Sequence, residues 1–424
     1  MYMKASNVNT KHNQDLDTGW GWQRVILLMI IFQSIGIRII PIQSALVSVV
    51  ICLILASRIN IPFRQLLFFI IFGGIIVFLS ARINSNFTLL FYIFQIILVA
   101  FIFNRYVNMR WPNVEYDLLV ITWWLSLHGL ISYLVFMLMP SIFHSVAPGG
   151  LSYKYCLFLT VISKVEGPAR ATGLCWEAGL LQYVANISLF LGIKHSWPRW
   201  KLAVSFLTVV ATFSTAGIFV LSVNMLYLLV ARRRSLSQWI SIGIAIAIVF
   251  ALGVTVFQTN ITDKLGGKNL SGLARLRDFQ IGLELIKEKS LFGHGLFDTK
   301  YLVSKSKIYE LSTELFSKEQ LADAGDMAAG YTNGFLGFLA SYGLLIGGFA
   351  YWCFYNNQLI QGGVKERLTF FLISILTFIS EPITNTSWFL FFVISGIYSS
   401  QLHNIIMAIH KKLMPKKNCM PVPE

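Results

Sequence analysis

Charge is what this chain lacks. Asp, Glu, Lys and Arg make up 12% of its 424 residues while hydrophobic residues make up 56%, more apolar surface than a soluble domain can hide in one core. Acids are the scarcest, 19 against 34 Lys and Arg, so an acid set beside an apolar run needs a physical reason. The five cysteines are scattered and supply no disulfide framework. The seven histidines make no Cys/His spacing of a metal centre, so no metal site is expected. A basic segment with interleaved aromatics is also missing, which removes nucleic acid from the expected partners. Residues 1–23 contain no cleavable leader pattern, and the first apolar run is expected to serve as an uncleaved signal-anchor.

Long apolar runs are what the chain has. With a mean hydropathy of +0.66 it reads as an all-α polytopic membrane protein. The alternation of a membrane β-barrel is absent, and a helical span needs about 20 apolar residues. About twelve spans are expected, near 24–37, 42–57, 65–81, 87–103, 116–139, 174–193, 202–213, 215–231, 239–257, 333–354, 368–380 and 387–404. Arg38 and Pro41 divide 24–57, and 202–231 is divided at Ser214 because 30 residues exceed one span. With the N-terminus inside, cytoplasmic segments hold nineteen Lys and Arg and the short outer loops five. That asymmetry predicts both termini in the cytoplasm.

The domain plan follows. Residues 1–23 are a cytoplasmic segment, 24–257 carry helices one to nine, 258–332 form one large outer loop between helices nine and ten, 333–404 carry the last three helices, and 405–424 are a basic cytoplasmic tail. A second outer segment, 140–173, holds the apolar patch Tyr155 to Ile162, too short to span and expected to lie in the interface or re-enter. Inside the large loop, Leu273, Leu276, Phe279, Leu283 and Ile286 recur at helical spacing and predict a helix with one apolar stripe. It ends toward Gly293-His294-Gly295.

Candidate chemistry concentrates in these two segments. Arg170-Ala-Thr-Gly-Leu-Cys-Trp-Glu177 opens the apolar run to Ile193, and on a helix entrance positions 170, 173, 174 and 177 share one face. A guanidinium there matches phosphate oxygens, and a partly dry carboxylate beside it suits a general base. The competing reading is structural: Arg170 as an interfacial anchor and Glu177 as its buried partner. Arg275 and Arg277 point about 200° apart on a helix and share one anion only at a helix end. His294, between glycines, is a base or a turn residue. Asp298, Asp323 and Asp326 are acids that accept a proton, bind a sugar or stay solvated. Glu381, in Ser-Glu-Pro-Ile-Thr-Asn-Thr, completes a polar site or caps a turn, and ranks below Glu177 because no cation accompanies it in sequence.

The stretch Arg170-Ala-Thr-Gly-Leu-Cys-Trp-Glu-Ala-Gly-Leu-Leu-Gln182 resembles the Arg-x-x-Gly-x-Phe-Trp-Glu-Pro-Gly-x-x-Gln signature of the O-antigen polymerase and ligase superfamily, with Cys175 and Ala178 replacing the aromatic and proline. Arg275-Leu-Arg-Asp-Phe279 with Leu291-Phe-Gly-His-Gly295 is similar to that family's arginine before an amphipathic helix and a glycine turn. Thr332-Asn333 and Tyr342-Gly-Leu-Leu-Ile-Gly347 stand where it often has His-Asn and a glycine-bearing helix, and Thr212-Phe-Ser-Thr-Ala-Gly217 resembles its Ser-Arg-Gly hairpin with Thr215 in the arginine's place.

The resemblance covers about 170–348. It implies an inner-membrane, GT-C-like glycosyltransferase that takes glycan from undecaprenyl diphosphate, with no metal, nucleotide sugar or other cofactor. Donor and acceptor would be lipid-linked oligosaccharides, with a chain-length regulator and a flippase as membrane partners. It favours Arg275 over Arg277, places Arg170 and the arginine of the loop on the diphosphate, and makes Glu177 the group that deprotonates or orients the acceptor hydroxyl. Trp176, Gln182, Asp298 and Asn333 are then expected on the acceptor or sugar. Thr332 replaces the histidine that serves as base in the ligase branch, and threonine accepts no proton at neutral pH, which favours the polymerase branch. A lipid-linked oligosaccharide flippase is the alternative from another class. Such folds repeat equal halves, and no second copy of the Arg170 segment is visible here.

Overall fold

The computed structural model describes residues 22–36, 99, 113–146, 153–162, 169–231, 270–294, 333–384 and 386–397. Expectations for the spans 42–57, 65–81 and 239–257, and for 87–103 apart from Val99, lie outside the described residues. The described part is mostly helical with strongly apolar helices, as a membrane protein requires. In chain order the helices are α1 (Trp22–Ile35), α2 (Val114–Leu138), α3 (Ala178–Lys194), α4 (Arg199–Ala211), α5 (Thr215–Ala231), α6 (Leu270–Glu288), α7 (Gly334–Tyr355), α8 (Val364–Ser380) and α9 (Ser387–Ile397). Among them α2 and α7 are long and apolar enough to cross a membrane alone. The run 202–231 is two helices that meet at Thr212–Ser214, where Phe213 takes a φ of 47°.

Helix α3 is the axis of the fold. It is buried from Ala178 to Ile193, the pattern of a helix enclosed on every side. α2, α4, α5 and α8 pack around it. Small residues permit the approach: a Cβ at Gly129 of α2 would come within 2.5 Å of Leu181. The far side of the bundle is an aromatic layer in which the Phe354 ring stacks on Phe370 and Phe389.

Acids at the start of α2 are paired rather than solvated. The Nε of Arg24 donates to Asp117 at 2.8 Å with both side chains buried. Glu115 receives Lys194 Nζ at 2.5 Å and stands 2.5 Å from His195 Nε2, and the main-chain N–H of Gln361 donates to it at 2.5 Å. One buried acid thus ties the start of α2 to the end of α3 and to the α7–α8 connection. Nearby, Lys201 Nζ lies 4.3 Å from the Trp197 ring and 5.2 and 5.5 Å from Trp123 and Trp200, a cation held on aromatic faces.

The all-α expectation needs one correction. After α2 the chain builds a four-stranded antiparallel sheet in the order β1 (His144–Val146), β2 (Tyr153–Cys156), β3 (Leu159–Ile162) and β4 (Arg170–Ala171). The apolar patch from Tyr155 to Ile162 is its central hairpin, with Cys156 opposite Leu159 and Leu157–Phe158 at the tip. Too short to span, the patch satisfies its main-chain groups by pairing with itself.

The stripe on α6 also differs from expectation. The helix is present, but Ile281 and Leu285 make the packed face against Ala340, and Phe279 and Leu283 turn outward. Ile286, from the expected stripe, packs beside them partly buried.

Candidate active site

Arg170 to Glu177 is not a helix entrance. Arg170 lies in β4 opposite Ile162, Gly173 takes a φ of +53°, and Glu177 is the extended N-cap of α3 at φ −145° and ψ 150°. The shared helical face is therefore corrected: a strand and a turn, not helical periodicity, bring arginine and glutamate together. The turn is tight. A Cβ at Gly173 would lie 2.8 Å from Gly129 Cα and 3.1 Å from His128 Nδ1. The N–H of Gly173 donates to the Thr160 carbonyl at 3.1 Å, and the Thr160 hydroxyl donates back to the Gly173 carbonyl. Arg170 Nε donates to the Thr212 carbonyl at 2.8 Å, so the α4–α5 turn holds one edge of the guanidinium and leaves its terminal nitrogens for other partners.

Glu381 completes the site. It caps the end of α8, it is 5% exposed, and its N–H donates to the Thr377 carbonyl at 2.8 Å. Its side chain crosses to the start of α3, where a Cβ at Gly179 would fall 1.8 Å from Oε1. There it hydrogen-bonds the Glu177 carboxyl, within electrostatic reach of Arg170 and Arg275. Burial, then the Glu177 charge and that hydrogen bond, hold the Glu381 carboxyl well above the ordinary carboxylate range, and the two arginines only partly offset them. Two carboxyls this close do not both ionise, so the pair keeps a proton. Burial lowers the Arg170 guanidinium, Glu381 and Glu177 raise it again, and Arg275 lowers it. It remains a cation throughout. The site sets two arginines within electrostatic reach of a hydrogen-bonded pair of acids.

Arg275 arrives on α6, and α6 is fixed by a junction of two glycine motifs. α7 breaks at Gly343, where φ is 73° and ψ 173°. The turn after α6 fills the break: Leu344 N–H donates to the Ser290 carbonyl at 2.7 Å, Leu345 N–H to Leu291 at 3.2 Å, and His294 N–H to the Ala340 carbonyl at 2.9 Å. A Cβ at Gly293 would lie 2.4 Å from Gly343 N, and one at Gly343 2.2 Å from the Leu291 carbonyl oxygen. Only glycine fits either side.

The remaining expected site residues sort by place. His294 is a turn residue: its Nε2 donates to the Leu285 carbonyl at 3.0 Å, ten residues along α6 from Arg275, about 15 Å at helical rise. Gln182 is wholly buried in α3, its Oε1 accepting from Asn186 at 3.0 Å in a series that runs on to Asn224. It faces Gly217 of α5. Asn333 caps α7, its carboxamide oxygen accepting from Leu336 N–H at 2.9 Å. It lies beside Glu381 through Gly334, whose Cβ would meet the Glu381 carbonyl oxygen at 2.6 Å. The carbonyl of Trp176 accepts from the Tyr153 hydroxyl, and its ring is partly buried on the core. Arg277 stands on α6 with its side chain outside the described residues, as are Asp298, Asp323, Asp326 and Thr332. Among the described residues no group of three or more His, Cys, Asp and Glu could hold a metal ion.

Residues 201–353 match the family model described as O-antigen ligase. The matched segment runs from α4 through α7 and includes Arg275 and the glycine junction, while Arg170, Glu177 and Glu381 flank it. It supports the O-antigen ligase and polymerase superfamily and, with it, a membrane-embedded protein with a glycosyltransferase-like activity. No curated protein and no solved structure matches the chain.

Proposed function

We propose that this chain, with its O-antigen ligase family segment, is a GT-C-like polysaccharide polymerase of the bacterial inner membrane, one that joins lipid-linked repeat units of O-antigen or a related surface glycan. In this reading about twelve helices cross the membrane, both termini are cytoplasmic, and residues 258–332 form a periplasmic loop. The observation that carries it is the convergence of Arg170 and Arg275 with Glu177 and Glu381 at the ends of α3 and α8.

The chemistry follows from those four groups. The two guanidiniums bind the diphosphate of an undecaprenyl-diphosphate-linked donor and take up charge as it leaves. An acceptor hydroxyl on a second lipid-linked unit attacks the anomeric carbon. The new glycosidic C–O bond forms as the bond to the diphosphate oxygen breaks, the electron pair leaving with the diphosphate. Glu177 takes the hydroxyl proton, and Glu381, already protonated, donates a hydrogen bond that fixes Glu177 and keeps the second negative charge away from it. Direct displacement inverts the anomeric centre and needs no cofactor. A chain-length regulator and a flippase are the expected membrane partners.

Ligation to lipid A-core is the second reading, favoured by the description of the matched family. Purified protein given lipid-linked repeat units, with and without lipid A-core, separates the two. Polymerase activity yields a ladder of lengthened lipid-linked glycan. Ligation yields glycan on lipid A-core and no ladder. Bilayer translocation of intact units without either product would point to a flippase. Arg170→Ala, Glu177→Ala and Arg275→Ala should each abolish the ladder at unchanged expression, and full-length polymer from all three variants would overturn the site.

A further inference from the structure

The β2–β3 hairpin ends in a way that water does not reward. Leu157 and Phe158, at its tip, are 88% and 78% exposed. Leu157 has a φ of 54°, the left-handed region that Gly, Asn and Asp fill in aqueous hairpin turns. The tip therefore combines a conformation costly to a branched residue with two large apolar side chains left uncovered by the chain.

Its surroundings say what covers it. The sheet does not stand above α2 but lies against its C-terminal half. Gly173, paired with Thr160 beside the hairpin, abuts Gly129, nine residues before the end of α2 at Leu138, about 14 Å along the axis. The Phe158 main chain faces His128 on the same turn of α2. Over this half of the helix the outward side chains are Ile131, Leu134, Met137 and Leu138, all exposed and all apolar. Among the described residues α2 is one of two helices long and apolar enough to cross the membrane, so that surface meets lipid, and the hairpin tip lies at the same depth. A hydrocarbon core is about 30 Å thick, so 14 Å from the helix end is well inside one leaflet.

We infer that the β2–β3 hairpin is a membrane-inserted element, with Leu157 and Phe158 seated among the acyl chains of the leaflet around the C-terminal half of α2. Antiparallel pairing lets it enter lipid, since its main-chain groups bond to one another and β4 closes one edge. β4 carries Arg170 opposite Ile162 of the same sheet, so the inserted tip sets the depth of that arginine relative to the bilayer. The inference stands whether or not the protein is a polymerase.

Photolabelling tests it. Full-length protein with Phe158→p-benzoylphenylalanine is reconstituted into phosphatidylethanolamine–phosphatidylglycerol vesicles containing a phospholipid tritiated in its acyl chains, then irradiated. Leu134→p-benzoylphenylalanine on α2 is the lipid-facing control and Lys365→p-benzoylphenylalanine, on the exposed first turn of α8, the aqueous one. Label at positions 134 and 158 and none at 365 is expected. Label at 134 with none at 158, or a crosslink from 158 to protein in place of lipid, overturns the inference. If the Phe158 variant does not elute as the wild-type protein does, the same probe at Leu157 gives the same reading.

Discussion

Glu381 has the carbonyl end of α8 behind it, Gly179 under its side chain, and a second acid in hydrogen-bonding contact. Its folded pKa stands above its unfolded value, so the stability tied to its proton is fully present below about pH 4.5 and is lost as pH rises through the raised folded value. Glu381→Gln removes that loss: thermal melts from pH 5 to 9 should show the wild-type midpoint falling relative to the variant as pH rises. Because glutamine still donates to Glu177, ladder synthesis by Glu381→Gln should stay within about tenfold of wild type. Glu381→Ala should lose on the order of a hundredfold, about 2.7 kcal/mol of transition-state stabilisation. Gly179→Ala offers a separate check. The added Cβ falls 1.8 Å from Oε1 and 2.5 Å from Cδ of Glu381, so the buried carboxyl must shift, and activity should drop at least tenfold with a lowered melting midpoint.

Helices matter here mainly through their ends. α3 begins at Glu177, α8 ends at Glu381, α7 begins beside Pro382, and the α4–α5 turn offers the Thr212 carbonyl to Arg170. α6 is the exception, since Arg275 lies along its length and is placed by a junction past the helix end, about 20 Å away at helical rise. At Gly343 an added methyl meets main-chain atoms, which cannot swing aside, at a φ of 73°. Gly343→Ala should cost about 3 kcal/mol, measured by thermal or denaturant unfolding in detergent. It should weaken ladder synthesis further by shifting α6, with the residual activity rising when membranes are assayed at lower temperature. Glu115→Gln should cost a similar amount, about 3 kcal/mol, because Lys194 and His195 lose their shared buried acid. It should leave the substrate KM unchanged, since that cluster ties the opposite end of α3.

At the scale of the molecule, the uneven distribution of Lys and Arg argues for an orientation with Arg170 and the large loop outside. Alkaline phosphatase fused within 300–320 should be active, and green fluorescent protein at the C-terminus should fluoresce. The opposite pattern would place the site on the cytoplasmic face, where a periplasmic polymerase cannot work. The Glu115 ties and the tryptophans around Lys201 lie at the opposite end of α3 from Glu177. The bundle is thus fastened by charge at one face and carries its reactive charges at the other.

Much of this was legible in sequence because it depends on local pattern. Apolar runs announce helices, Ser214 marks where one run becomes two, and Arg170 and Glu177 stood out as charges at the mouth of an apolar run, while the choice of Arg275 over Arg277 came only from the family resemblance. Pairings between distant segments were not legible. Glu381 lies 204 positions after Glu177, and its partner is an acid, which no search for a neighbouring cation would find. The Gly293–Gly343 junction requires two backbones to approach within a methyl's width, a fact held by neither segment alone. The hairpin of 153–162 has the composition of a short buried stretch, and its pairing decides that it is a strand. Sequence by itself determined the class of the molecule, because apolar runs and the cost of burying charge are read residue by residue. Tertiary structure decided which charges share a proton, because that depends on distances set by elements far apart in the chain.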